Sequence, residues 1–212
     1  LDNQELARLL YGKNFWAKRQ GLRLLTERLI AKRDDEMVKG LEAGVFQKET
    51  TSLQNIQDGK LWSLWALLGS GHLTEEFLQR AASLQNEGQS EPGLDYLVIR
   101  NWVARSIGAA RRPSEASLSL LEVLASDRSP SVRFAVATAV RQIVSSSLTV
   151  DADINTGAAV GNILTALVKA SDDAKDPLLP YMIWLAREPL VARNPGPGLN
   201  WLAENGAATM PL

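Results

Sequence analysis

The chain contains no cysteine and one histidine, His72. Without thiols there is no disulfide, Cys-ligated zinc, iron–sulfur cluster, thioether-linked haem or cysteine nucleophile. A single imidazole excludes any site built on two. Neither sign of charge is in excess, with 23 basic against 24 acidic side chains and a net charge of −1. A duplex-binding face must cover several phosphates with Lys or Arg, so no nucleic-acid partner is expected. No apolar run reaches the roughly 18 residues of a membrane span, and the first residues do not read as a signal peptide. A glycine-rich phosphate loop is also missing: Gly157-x-x-x-Gly161 lacks the Gly-Lys-Ser/Thr ending. Helix-like sequence begins almost at Leu1, and the chain is expected to be a fragment or a processed form of something longer.

What is present is helical periodicity. The stretch from Phe15 to Ile30 places Trp16, Leu22, Leu25 and Leu29 along one stripe, with Lys18, Arg19, Arg23 and Arg28 largely elsewhere. Further helices are predicted near 3–11, 35–48, 59–70, 75–86, 94–109, 114–126, 130–146, 156–171, 177–192 and 197–204. No segment of strand length alternates cleanly between turn signals. Thr74 is placed to cap one helix, and Ser129-Pro130 and Asp176-Pro177 read as a capping residue followed by proline at the first helical position. Gly12, Gly71 and Gly108 stand where helices are expected to stop.

Three stretches look alike: Asn14 to Leu25, Asp95 to Arg105 and Asp127 to Ala139. Each has a polar cap or turn residue, an apolar residue before a cation, then small and aliphatic residues at helical spacing. Lys18, Arg100 and Arg133 occupy the cation position. Two more helices fit the register less well, with Trp62 and Met182 in that place. The five marks fall 44, 38, 33 and 49 residues apart, near the ~40–47 of HEAT and armadillo repeats. Asp127-x-x-Pro-x-Val-Arg133 resembles the start of the second helix of a HEAT repeat. The resemblance implies a polar ladder in which the turn Asp and the helix Arg link successive repeats.

Several strings together carry a closer likeness: Asn14-Phe-Trp with Arg23-Leu-Leu, Leu61-Trp-Ser-Leu-Trp-Ala-Leu67 with Ser70-Gly71, Asp127 to Ala139, and Asp172 to Pro177 followed by Leu179 to Trp184 and Glu188-Pro189-Leu190. Their order and spacing resemble the HEAT region of large exported dehydrogenase-type, haem-binding proteins of planctomycetes and verrucomicrobia. In those a sugar-dehydrogenase-type β-propeller precedes the repeats and a c-type cytochrome domain with Cys-x-x-Cys-His follows. The resemblance spans roughly residues 14–190 and implies a periplasmic or other extracytoplasmic setting. The propeller and haem motif are not within these residues, so none of that chemistry is assigned to a residue here.

The remaining candidates have plain structural explanations. Asp151-x-Asp-x-Asn155 with Gly157 opens like a calcium loop, but the sixth position is Thr156 and the twelfth is Asn162 rather than Glu. A polar loop ending in a helix cap is expected instead. Asp172, Asp173 and Asp176 are read as turn and cap residues rather than as an acid–base pair. His72 is read as a loop residue, and Arg105, Arg111 and Arg112 as a charged helix face. Trp62, Trp65, Trp16, Trp102 and Trp184 sit at core spacing, whereas Trp201 is expected to be more open.

These features predict an all-α chain: a HEAT-like α-α superhelix of about five helix pairs, a single domain over 1–212 with 145–157 as an inserted loop. The expected role is a scaffold or interaction segment holding other domains of its parent protein, or a free-standing adaptor for a protein or peptide. A HEAT-like DNA glycosylase is disfavoured, because it needs a basic concave surface around a catalytic acid. No catalytic, cofactor-binding or metal residue is assigned. The assigned site is the structural ladder of Asp127, Arg133, Asp95, Arg100 and Lys18, with Arg133 expected to pair with Asp127 or with Asp95 of the preceding repeat.

Overall fold

The computed structural model describes residues 1–47, 53–84, 94–110, 112–147, 154–170, 173 and 175–205. Helix accounts for 82% of these, and no strand occurs among them. The helices are α1 (Asn3–Leu9), α2 (Phe15–Ala31), α3 (Asp35–Phe46), α4 (Leu53–Ser70), α5 (Glu75–Ala82), α6 (Leu94–Ala109), α7 (Glu115–Ala125), α8 (Pro130–Ser147), α9 (Ile154–Lys169), α10 (Leu179–Arg193) and α11 (Pro195–Asn205).

Local chemistry sets most of the starts. The first turn of a helix leaves amides without intrahelical partners. Asn14, Asp34, Thr74 and Ser114 each accept one of these amides, from Ala17, Met37, Phe77 and Ser117. Asp2 and Glu5 form a reciprocal capping box at α1. The Met37 amide, then Asn3, holds the Asp34 carboxyl below its usual range. Helix α8 begins at Pro130, as the Ser-Pro pair predicts. Helix α10 starts later than Asp176-Pro177 suggests, because its first residue is Leu179 with Pro180 next. Asp176 still caps it from upstream, accepting the Leu178 and Leu179 amides at 2.8 and 2.9 Å. Helix α8 runs to Ser147 and α9 begins at Ile154, so helix enters the expected insertion at 145–157 from both sides. The residues between, 148–153, lie outside those described.

The chain forms two compact units, Leu1–Ile99 and Arg100–Leu212. In the first, α1 packs on α2 and α3 on α4, while α2 also meets α4 and α1 meets α3. In the second, α7 packs on α8 and α9 on α10, while α8 also meets α10 and α7 meets α9; α11 closes on α10 and α9. Within each unit the helices of these pairs thus touch a chain neighbour and the helix two places along. The cores are aliphatic: Leu6, Leu25, Leu29, Val45, Leu64 and Leu67 in one unit, Leu121, Val132, Val136, Val140, Ile163 and Leu164 in the other.

One expected core residue is outside. Trp16 is 70% exposed. The buried stripe of α2 runs through Lys18, Gly21, Leu25 and Leu29. With about 3.6 residues per turn, Trp16 lies on the far side of that stripe. Trp62 is buried, while Trp65, Trp102, Trp184 and Trp201 are half-buried.

Glycines act in different ways. Gly71 ends α4 with φ +74°, a left-handed conformation that L side chains rarely adopt. Gly108 does not end α6, which continues to Ala109. It lets α6 approach α8: a Cβ there would stand 2.6 Å from Ala139 Cα and 2.8 Å from Ala139 Cβ. Gly161, by contrast, sits within α9 with no described residue within 4 Å of such an atom. Alanine in place of a mid-helix glycine gains about 0.5–1 kcal/mol, so Gly161→Ala should stabilise by that amount. Gly108→Ala should instead destabilise by about 1–3 kcal/mol, because overpacking against a backbone atom outweighs the propensity gain. Chemical denaturation checks both; a stabilised Gly108→Ala would contradict the close approach of α6 and α8.

A ladder of buried cations as the candidate site

Helices α2, α4, α6 and α8 each carry a buried cation: Lys18, Lys60, Arg100 and Arg133. An ammonium or guanidinium taken out of water must recover its hydration from the protein. The two arginines do so with carboxylates. Arg100 Nε donates to Asp127 Oδ2 at 2.7 Å and Nη2 donates to Oδ1 at 3.3 Å. Asp127 lies in the turn between α7 and α8, and the paired side chains are only 6% and 10% exposed. Arg133 repeats the arrangement one step along. Its Nε donates to Asp173 Oδ2 at 2.5 Å and its Nη2 donates to Asp173 Oδ1. Asp173 lies between α9 and α10, and these side chains are 7% and 6% exposed. Both pairs are two-pronged, the geometry that suits a planar guanidinium.

The direction differs from the expected one. Arg133 does not take the Asp127 carboxylate, which Arg100 occupies; its Nη1 donates to the Asp127 main-chain carbonyl instead. From α8, the carboxylate Arg133 reaches is the one before α10, the next even helix against which α8 packs. The ladder therefore runs forward, from the arginine of one even helix to the turn before the next. The side chain of Asp95 lies outside the described residues. The Asp127 turn is itself tied, since Asp127 Oδ1 accepts the Ser129 amide at 2.8 Å. Ser129 and Ser131 hydroxyls meet at 3.0 Å, and Asn101 on α6 donates to Ser131 at 3.1 Å.

The lysines sit among aromatic rings. Lys18 Nζ lies 5.9 Å from the Trp62 ring centroid. Lys60 is 1% exposed, with Nζ 5.1 Å from the Tyr96 ring and no hydrogen-bond acceptor among the described residues. The sequence pattern puts Trp62 in the cation place of α4, yet the buried cation is Lys60, two residues earlier. The signal that could have found it is spacing, since Lys60 stands about midway between Lys18 and Arg100. Asp173 was hidden by its neighbours: beside Asp172 and Asp176 it reads as part of a capping cluster. The Asp176 role is indeed capping, and the Leu178 amide, then the Leu179 amide, lowers its pKa.

Among the described residues the other candidates do not converge on a reactive centre. His72 Nδ1 lies 3.0 Å from Ser70 Oγ. Trp201 Nε1 donates to Thr165 Oγ1 at 2.9 Å, and the Arg187 guanidinium stacks 4.3 Å over the Trp201 ring. Burial lowers the Arg187 pKa. Arg105 is exposed and lies 5.3 Å from the Trp102 ring; Arg112 is exposed, and Arg111 is outside the described residues. Asp151, Asp153 and Asp172 and the side chain of Asn155 also lie outside them, so the calcium-like loop has no geometry to report. Among the described residues no helix is long and apolar enough to cross a membrane. No family model and no curated protein matches the chain.

The two kinds of buried cation give opposite expectations for one substitution. Arg133→Met leaves the Asp173 carboxylate buried alone and should destabilise by about 3–5 kcal/mol. Lys60→Met removes an ammonium that lacks an acceptor among the described residues and keeps the volume filled, so it should stabilise by about 1 kcal/mol. Urea denaturation of the two variants reads the sign; a destabilised Lys60→Met would mean that the Tyr96 ring outweighs the lost hydration.

Proposed function

We propose that this chain is a non-catalytic helical-repeat scaffold, in which the helix pairs stack as a HEAT-like superhelix and hold other domains of a larger exported dehydrogenase- and cytochrome-type protein. The observation that supports the repeat architecture most directly is the forward ladder. Two successive even helices, α6 and α8, send a buried arginine to the turn before the next even helix. Chain-neighbour and next-neighbour packing within each unit supports it further. In such an array each pair contacts mainly its neighbours, and function comes from an extended surface. The strings at Asn14-Phe-Trp16, Leu61 to Leu67 and Asp127 to Ala139 support the dehydrogenase setting by resemblance. Partners on this reading are a propeller-type domain and a c-type cytochrome domain, with no nucleic acid.

The test is electron transfer in the whole gene product, with and without this segment. Excision should leave sugar-dependent dye reduction by the propeller domain intact and slow reduction of the haem at least tenfold. Unchanged haem reduction would contradict the scaffold role and point to an adaptor. Sugar-dependent dye reduction by the purified chain alone would contradict its being non-catalytic.

A further inference from the structure

In the first unit, α1 packs on α3 and α2 on α4, which makes two layers. Gly21 of α2 backs onto Leu6 and Leu9 of α1, and Ser63 of α4 onto Gly44 of α3. The stripes opposite these contacts are open among the described residues. On α2 the stripe holds Trp16, Arg19, Arg23 and Ile30, all exposed; on α4 it holds Leu61, Trp65 and Leu68, half-buried. Both sets follow the helical period, so each lies along one side of its helix. The two ridges run parallel: Trp62 meets Phe15 and Lys18 near the start of α2, and Gly69 meets Thr26 farther along. Charge is concentrated here as well. Between positions 13 and 33 seven side chains are cationic and one, Glu27, is anionic, although the whole chain carries a net charge of −1. Arg23 meets Glu27 only loosely, at 3.8 Å with the side chains 64% and 60% exposed. Arg19 has no ion pair among the described residues.

We propose, resting on the scaffold role above, that this face docks one acidic amphipathic helix of a protein partner. A helix laid along the two ridges turns its apolar side to Leu61, Trp65 and Leu68 and its carboxylates to Arg19 and Arg23. The two arginines stand four residues apart on one side of α2, so carboxylates at the same spacing on the partner reach both guanidinium forks. From Trp16 to Ile30 the stripe measures ~21 Å at about 1.5 Å per residue, or about four turns of a partner helix. Trp16 is the anchor, a large aromatic side chain of the kind that carries most binding energy at protein interfaces. Charge sets the choice of partner, because a basic helix would face a ridge of its own sign. A bilayer surface fits less well. Anchoring in lipid needs apolar groups that reach outward, and the three on α4 are half-buried.

The probe is a labelled synthetic helix with leucine along one side and glutamate on the others, titrated into the full chain and followed by fluorescence anisotropy. Its comparators are a scrambled peptide of the same composition and a version with lysine for glutamate. The acidic helix should bind saturably, and both comparators at least tenfold more weakly. Arg19→Glu should weaken binding several-fold, Arg19→Glu with Arg23→Glu at least tenfold, and Trp16→Ala at least tenfold. Lys39→Glu, the same change of net charge on an exposed residue of α3, should leave the affinity unchanged. All these side chains are exposed, so the circular dichroism of each variant should match the parent. Absence of saturable binding, a scrambled peptide bound as tightly, or an equal loss in Lys39→Glu would each overturn the assignment. So would Trp16-dependent binding of phosphatidylglycerol vesicles without peptide binding, which points to a membrane, or a Trp16-dependent dimer in sedimentation, which points to a second copy. Haem reduction after excision is read separately, so failure here and failure of the scaffold role are told apart.

Discussion

The second unit depends on a charge that cannot be left alone. Arg133 is buried, and it is neutralised only when α8 and the turn before α10 stand in one register. Removing two ions from water costs several kcal/mol each, so the pair adds little net stability over an apolar alternative. Its effect is on which packing is possible. Sliding α10 by one helical turn, about 5.4 Å, would strand a guanidinium and a carboxylate in an apolar interior. Asp127 extends the constraint backwards: its carboxylate holds Arg100 and the Ser129 amide, and its carbonyl holds Arg133. Arg100, Asp127, Arg133 and Asp173 thus form one connected network joining three successive even helices through their turns.

The first unit meets the same constraint differently. Lysine has a point charge without a planar fork. Lys18 lies toward Trp62 and Lys60 toward Tyr96, so aromatic faces provide part of the electrostatic compensation. Around Trp62 the packing is aromatic, with Phe15 edge-on at 5.6 Å and Trp65 at 5.2 Å. An aromatic face is less directional than a carboxylate, so the lysines constrain register less than the arginines do.

Much of this was legible in the sequence, for local reasons. Caps such as Asn14 and Thr74 act within one turn, and the helices begin where they and the Ser129-Pro130 pair place them. The positions of Arg100 and Arg133 follow from helical period plus repeat spacing. Their partners do not. Asp127 lies 27 residues after Arg100, whereas Asp173 lies 40 after Arg133. No fixed separation connects the pairs, because the odd helices and loops between them differ in length. Pairing direction is a tertiary property: it depends on α8 meeting α10, which no window around Arg133 contains. Trp16 fails for another reason. Apolar spacing located a stripe, but the stripe centres on Lys18 and Gly21, residue types that hydrophobic patterning discounts. The buried Arg141 Nη1, with no hydrogen-bond partner among the described residues, was not legible at all, since an arginine late in a helix reads as solvated until its surroundings are known.

The most direct test of the forward ladder is a double-mutant cycle on Arg133→Ala and Asp173→Ala, measured by urea denaturation. Each single variant leaves one buried charge unpaired, while the double variant leaves none. The double variant should therefore cost about 2 kcal/mol or more less than the sum of the singles, a coupling within the range of contacting residues. Additive costs would contradict the pair and, with it, the account of how successive turns are held in register.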